Sequence, residues 1–413
     1  MQVAELELGD GAAARPSLRP GPGSPPVTAG EVFVLVRRAG RPVGTLLGRV
    51  PEGADAGSVL AALAGDLPGG PAPVPRPDDR TPPSASVVVA TRERAGQLAR
   101  ALDSLLAQDH PDFEIVVVDN APVTDETRDL VTRKYGERVR YVREPVPGLA
   151  VAHNRGLGVV RGEVTAFTDD DVVADPRWLA ELSTPFAADP GLGCVTGLIL
   201  PARLRTPAQV LLESHGGFAK GFTARTYDPA DPPADEPLFP FTAGRFGSGA
   251  GMAFRTAVLR EVGGFDPATG AGTPARGGDD LYGFVRVLAH GYRLRYTPTA
   301  LVWHHHRETW RDLETQAFGY GAGLTAYLTA VLVNCPALLP AFLARLPGGL
   351  AHARTLTAVR DTDRAAGTAP GGHDDRTHPW PRRLSRLQRR GMLYGPLGYL
   401  RARRALRTVA GER

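Results

Sequence analysis

The sequence predicts an α/β domain built on a mostly parallel sheet with helices on both faces. Three observations predict it. Short, almost wholly apolar runs recur from Ser86 onward, each followed by a stretch in which leucines or alanines return at helical spacing. Runs without polar alternation belong to strands buried on both faces, the pattern of parallel sheets. The carboxyl ends of these runs carry Thr91, Asp119 and the acids 169–171, at the edge where such sheets bind ligands.

In chain order, SVVVAT (86–91) is the first strand, and residues 94–108 form a helix with Leu98, Leu102, Leu105 and Leu106 on one side. EIVVVDN (114–120) is the second strand, followed by a helix over 125–135 and a third strand, RVRYVRE (138–144). A helix over 150–160 precedes EVTAFTDDD (163–171), a strand that ends in three acids. Residues 201–247 break this rhythm with Asp-Pro and Pro-Pro pairs and read as loop-rich. A glycine-rich turn (247–251), a short strand and a helix near 256–262 come next. A second acidic site at 277–280 then opens the helix 280–289, and YRLRYTPTALVW leads into His304, His305 and His306.

The domain at 85–320 has neighbours of different character. Residues 1–84 read as a disordered Gly/Pro/Ala-rich start, a small appendage and a linker. The appendage is a hairpin over 31–50 with a helix over 55–67. The linker, residues 68–84, contains seven prolines and is stiff. Residues 321–413 read as an apolar and then basic helical region. No charged side chain occurs between Glu314 and Arg345, and Asn334, Pro336 and Pro340 interrupt the run. A span needs about 20 apolar residues. The interruptions favour helices lying in a membrane interface or buried in protein over a spanning helix. From Pro381 to Arg413 there are ten arginines against one acid, Glu412, a patch suited to anionic headgroups.

The rest of the chain excludes several classes. Net charge is only +4, without a basic stripe in the central domain, so no nucleic-acid partner is expected. Two cysteines, Cys194 and Cys335, stand far apart among apolar neighbours, which argues against a disulfide framework or zinc site and fits a reducing cytoplasm. The first 30 residues lack a positive segment followed by an apolar one, so no secretory signal is expected. The expected location is cytoplasmic, peripheral on the cytoplasmic face of the membrane.

The chemistry concentrates at Asp169, Asp170 and Asp171. Adjacent carboxylates repel unless a cation or hydrogen-bond donors compensate. A hard ion such as Mn²⁺ or Mg²⁺ takes oxygen ligands and bridges to phosphate. The bland alternative is a solvated acidic turn capping the helix near Pro176. At the second site, Asp279 and Asp280 stand at a helix start, where an acid serves as general base or as N-cap. His304 and His306 alternate along a strand and so share a face. The Gly-Ser-Gly-Ala-Gly turn at 247–251 does not follow the first strand, as a dinucleotide loop must, and reads as backbone packed close to a ligand.

In order, SVVVATRER, EIVVVDNAPVTDET, EPVPGLAVAHNRGL, GEVTAFTDDDVVADPRWL, GSGAGMAFRTAVLREVGGFD, GGDDLYGFVRVLAHGYRL and VWHHH resemble the motifs of the family 2 glycosyltransferases with the GT-A fold. The resemblance runs from Ser86 to about Arg311. It implies that Thr91 and Glu93 contact the nucleotide, and that Asp119 holds the base. It implies that Arg155 faces the diphosphate, and that Asp169 and Asp170 touch ribose and sugar. Asp171 would ligate Mn²⁺ or Mg²⁺, with His304 closing the metal site, and Asp280 would be the catalytic base. His153 stands where relatives have arginine. The implied reaction is transfer, with inversion, from a UDP-, GDP- or dTDP-sugar to a hydroxyl of a glycan, lipid or secondary metabolite. Two rivals are a degenerate nucleotide-sugar-binding scaffold at a membrane assembly, and a nucleotidyltransferase. The latter needs a phosphate-gripping loop after the first strand, and ATRERAGQL is a poor one.

Overall fold

The computed structural model describes residues 1–9, 16–65, 67, 81–215, 217–348 and 381–411. Most of the proline-rich linker, the segment 351–380 and the last two residues lie outside the described residues.

The expected α/β class is the one the chain adopts. Its main sheet contains β5 (Ala85–Thr91), β6 (Phe113–Asn120), β7 (Arg140–Glu144), β8 (Val164–Asp169), β10 (Leu192–Pro201), β11 (Arg225–Tyr227), β12 (Met252–Arg255) and β13 (Arg293–His304). The order is β11-β13-β10-β12-β8-β5-β6-β7, with the short β9 (Val172–Ala174) paired to β13. β8, β5, β6 and β7 are mutually parallel, as are β10 and β13; β12 runs antiparallel between the two blocks. Alternate residues of each buried strand serve opposite faces. Val88, Val116 and Val118 pack under α4 (Leu149–Leu157) and α8 (Asp279–Ala289). Val87, Val89, Ile115 and Val117 pack under α2 (Ala95–Leu105) and α5 (Trp178–Ala188), with Trp178 fully buried.

One expectation about the start of the chain needs correction. The start of the chain, expected to be disordered, supplies β1 (Gln2–Leu8) and β2 (Ser17–Pro20). With the expected hairpin strands β3 (Gly30–Arg38) and β4 (Arg41–Val50) they form a sheet of order β2-β1-β3-β4, in which β1 pairs parallel with β3. Ala4 and Leu6 face α1 (Ala56–Ala64), while Val3, Phe33 and Leu35 pack on Leu198, Leu200, Leu301 and Trp303 of the main sheet. Arg37 ties the two sheets by pairing with Glu5 at 2.7 Å and with Asp175 at 2.6 Å. The appendage is therefore packed onto the main domain. In the loop-rich stretch 201–247, α6 (Pro207–Ser214) is a helix with a full capping box, Thr206 and Gln209 bonding each other's backbone.

The described residues of the C-terminal region, up to 348 and from 382, are largely helical. α9 (Trp310–Asn334) turns by 109° into α10 (Pro336–Gly348), and α11 (Arg382–Gly411) packs along α9. Among the described residues no single helix is long and apolar enough to cross a membrane; the bent α9–α10 pair reaches that length and composition only together. Small residues let α9 and α11 touch backbone to backbone: a Cβ on Gly395 would fall on the Thr325 hydroxyl and the Ala322 carbonyl. Asp266 pins the same helices, accepting from Tyr399 of α11 at 2.8 Å and from Asn334 of α9 at 2.6 Å. Overpacking of this kind costs about 1–3 kcal/mol. Gly395→Val is accordingly expected to lower the midpoint of thermal unfolding; an unchanged midpoint refutes the close helix pair.

Candidate functional site

The site forms where β8 ends. Asp169 is the last residue of β8, and the chain then re-enters the sheet as β9, whose Val172 pairs with His304 at the end of β13. The His305 N–H donates to the Asp171 carbonyl at 2.8 Å, which locks this crossing. The result brings Asp169, Asp171 and His304 together: one ligand atom from each lies within 4.8 Å of the other two. His304 Nε2 is 3.2 Å from Asp171 Oδ1, but that buried oxygen has no hydrogen-bond partner, so the two atoms approach without the alignment of a bond. Arg94 and Arg307 each stand 3.7 Å from Asp171 Oδ2.

The electrostatics follow from this crowding. Burial and then the charge of Asp171 push Asp169 up to about 7. Burial also opposes ionisation of Asp171, but His304 and the two arginines outweigh it and hold this carboxyl below the usual range. Burial disfavours charged His304, and the adjacent Asp171 outweighs that, so its pKa is raised. Two carboxylates, an imidazole and an orphaned buried oxygen form a donor set that suits a hard divalent cation. Mn²⁺ or Mg²⁺ fits these residues.

Asp170 is turned the other way. Its Oδ2 accepts from Thr91 at 2.6 Å and its Oδ1 from Arg94 at 3.1 Å, which ties the end of β8 to the end of β5. Both residues assigned to ligand contact are thus engaged with each other. Glu93, in a left-handed conformation (φ 54°), is likewise occupied: its carboxylate accepts from the Val123 and Thr124 amides at 2.8 and 3.1 Å and from the Thr124 hydroxyl at 2.7 Å. Asp119 is fully buried. Tyr141 donates to its Oδ2 at 2.9 Å, its Oδ1 has no partner, and burial raises its pKa.

Arg155 is the residue expected to face the diphosphate. It is exposed on α4, whereas His153, two positions earlier, is buried. Two helical steps turn a side chain by about 200°, so these two cannot share a face. His153 takes the inward position instead, 3.2 Å from Asp279 and against the rings of Phe167 and Phe265.

Asp280 lies in the first turn of α8. That helix starts at Gly278, whose left-handed φ of 90° sits where a Cβ would meet the Gly323 carbonyl at 2.5 Å. Asp280 accepts from the Gly249 N–H at 2.9 Å and from the Leu281 N–H at 2.8 Å. Burial, then the neighbouring Asp279, raises it to about 6. The glycine turn 249–251 also reaches the first acidic site, because the Thr168 hydroxyl donates to the Ala250 carbonyl at 2.7 Å. One short turn therefore bonds both Asp280 and the residue that precedes the acids of β8. Arg94, Arg307, Glu213 and the His153–Asp279 pair were not singled out in the sequence as parts of this site. Asp279 was legible in the second acidic site and His153 as a departure from a family motif; the other three carried no signal.

The family model described as glycosyltransferase like family 2 matches residues 82–319. A pre-mycofactocin glycosyltransferase of Mycobacterium tuberculosis is 28% identical over 238 residues, 57% of this chain and 46% of that one. A glucosyl-dolichyl phosphate glucuronosyltransferase of Haloferax volcanii is 26% identical over 194 residues, 45% of this chain and 56% of that one. The chain thus spans about half the length of these curated relatives. Among solved structures, a mannosyltransferase of Pyrobaculum calidifontis in complex with GDP-Man and Mn²⁺ aligns at 22% identity with a TM-score of 0.49, over 78% of this chain and 88% of that one. The family match covers more than half of the sequence and contains both acidic sites, and the chain belongs to the glycosyltransferase like family 2.

Proposed function

We propose that the protein is an inverting glycosyltransferase that moves a sugar from a nucleoside-diphosphate sugar to an acceptor hydroxyl. The observation that carries this reading is the 249–251 turn, which accepts from Thr168, the residue before the acids of β8, and donates to the carboxylate of Asp280. In this reading Asp119 offers its unpartnered oxygen to a base N–H, and Asp169, Asp171 and His304 hold Mn²⁺ or Mg²⁺. The bound ion would supply charge to stabilise the leaving diphosphate. Arg94 and Arg307 add positive charge on the same side. Asp280 takes the proton of the acceptor hydroxyl as its oxygen bonds to the anomeric carbon and the bond from that carbon to the diphosphate oxygen breaks. Attack opposite the leaving group inverts the centre.

A carboxyl raised to about 6 is a stronger base than an ordinary aspartate yet remains largely ionised at pH 7. Its protonated form cannot accept the proton, so turnover falls as pH drops through about 6. A screen of nucleotide sugars with Mn²⁺, read as slow release of nucleoside diphosphate with water as acceptor, is expected to single out one donor. Asp171→Ala abolishes the release. Asp280→Asn slows it by about 10²–10⁴-fold and removes the acidic limb of the profile. Wild-type turnover and pH dependence in Asp280→Asn would exclude Asp280 as the base.

We also propose a location, peripheral on the cytoplasmic face of a membrane. α11 exposes Leu393, Leu397 and Leu400 at helical spacing, and α10 exposes Leu339 and Leu343. Exposed Arg389, Arg390, Arg401 and Arg404 flank the α11 leucines. An apolar stripe edged by arginines suits an anionic lipid surface. The full chain is expected to co-sediment with phosphatidylglycerol vesicles more than with phosphatidylcholine ones, and Leu393→Glu with Leu397→Glu to release it. A protein that ignores anionic vesicles refutes this location.

A further inference from the structure

Glu213 belongs to no motif of the acid sites, yet it ends a chain of contacts that reaches them. The capping box fixes the start of α6, and two side chains four residues apart on that helix, Gln209 and Glu213, both grip His306. Gln209 Nε2 donates to the His306 carbonyl at 3.0 Å, and Glu213 Oε2 lies 3.2 Å from His306 Nε2. On its other side His306 Nδ1 lies 3.0 Å from His304 Nδ1. The ring of Phe218 covers both imidazoles, with centroids 5.2 and 5.5 Å away.

The proton positions follow from what each group can give. An ionised carboxylate only accepts, so His306 donates to Glu213 through Nε2. Neutral His306 then carries a lone pair on Nδ1. Two lone pairs cannot face each other at 3.0 Å, so His304 Nδ1 holds a proton and donates it. With Nδ1 engaged in this way, Nε2 is the ring nitrogen that faces Asp171 Oδ1 at 3.2 Å, and metal binding there displaces any proton it carries. A divalent cation beside them takes the place of that proton and is bound by both atoms.

We infer that Glu213, acting through His306, is a positioning residue that fixes the histidine tautomer in which His304 Nε2 serves as a ligand for a divalent cation beside Asp169 and Asp171. The inference rests on the metal reading above. Partners of ligating histidines typically change metal affinity by about 10–100-fold.

Two readouts test it without relying on turnover. In ¹⁵N NMR of the metal-free protein at pH 8, His306 is expected as the Nε2–H tautomer, and Glu213→Ala is expected to lose that preference. In Mn²⁺ titrations followed by electron paramagnetic resonance, Glu213→Ala is expected to bind about 10–100-fold more weakly. Glu213→Gln keeps an acceptor oxygen and is expected to recover most of the affinity, which separates the relay from a loss of folding. A wild-type His306 found as the Nδ1–H tautomer overturns the inference. Wild-type protein that binds Mn²⁺, with equal affinity in Glu213→Ala, overturns it while leaving the metal reading intact. Wild-type protein that binds no Mn²⁺ overturns the metal reading and the relay with it.

Discussion

Asp169, Asp170 and Asp171 share the end of one strand, and the rest of the site is arranged around their mutual repulsion. At the spacing of the Asp169–Asp171–His304 group, within 4.8 Å, two like charges cost on the order of 3 kcal/mol at an effective dielectric of about 20. That exceeds what a surface ion pair returns, about 1 kcal/mol or less. The chain answers each acid differently. Asp170 is neutralised internally by Thr91 and Arg94, Asp171 is drawn toward ionisation by His304 and two arginines, and Asp169 is left with its pKa raised to about 7. The uncompensated remainder is what a divalent cation would balance.

The topology exists to bring that remainder into contact with distant segments. Antiparallel β12 separates two parallel blocks, so the end of β8 and the end of β13 are linked through the short β9 and not through a long shared ladder. The turn that leads into β12 bonds to Asp280 and to Thr168, the residue before the acids of β8. α9 and α11 close the side near α8, where Gly278 lies against Gly323 and Pro274 against Gly398. The same helix α11 that seals this side also presents the leucine and arginine face.

Much of this was legible in the sequence, and the failures have physical causes. The apolar runs ending in Thr91, Asp119 and Asp169 could be read because buried parallel strands show no alternation and their carboxyl ends gather ligand-binding residues. Asp280 was legible from its place at a helix start. β1 was missed because its partner is β3, more than twenty residues away, and because the Gly- and Pro-rich surroundings masked the alternation of Val3, Ala4 and Leu6. Motif spacing says nothing about which side of α4 a residue occupies, so the exposure of Arg155 and the burial of His153 were not legible. Glu213, Arg94 and Arg307 were invisible as site residues for a common reason. Each acts across the fold on a residue far away in the chain, or from a stretch that read as loop.

The account's central claim is that the acids of β8 and Asp119 form one site for a nucleoside diphosphate in the presence of a divalent cation. Calorimetry of the purified chain with UDP, GDP and dTDP, each with and without Mn²⁺, tests it most directly. The account predicts saturable binding of one nucleotide that strengthens on adding Mn²⁺. Absence of binding by all three with the cation present would contradict it.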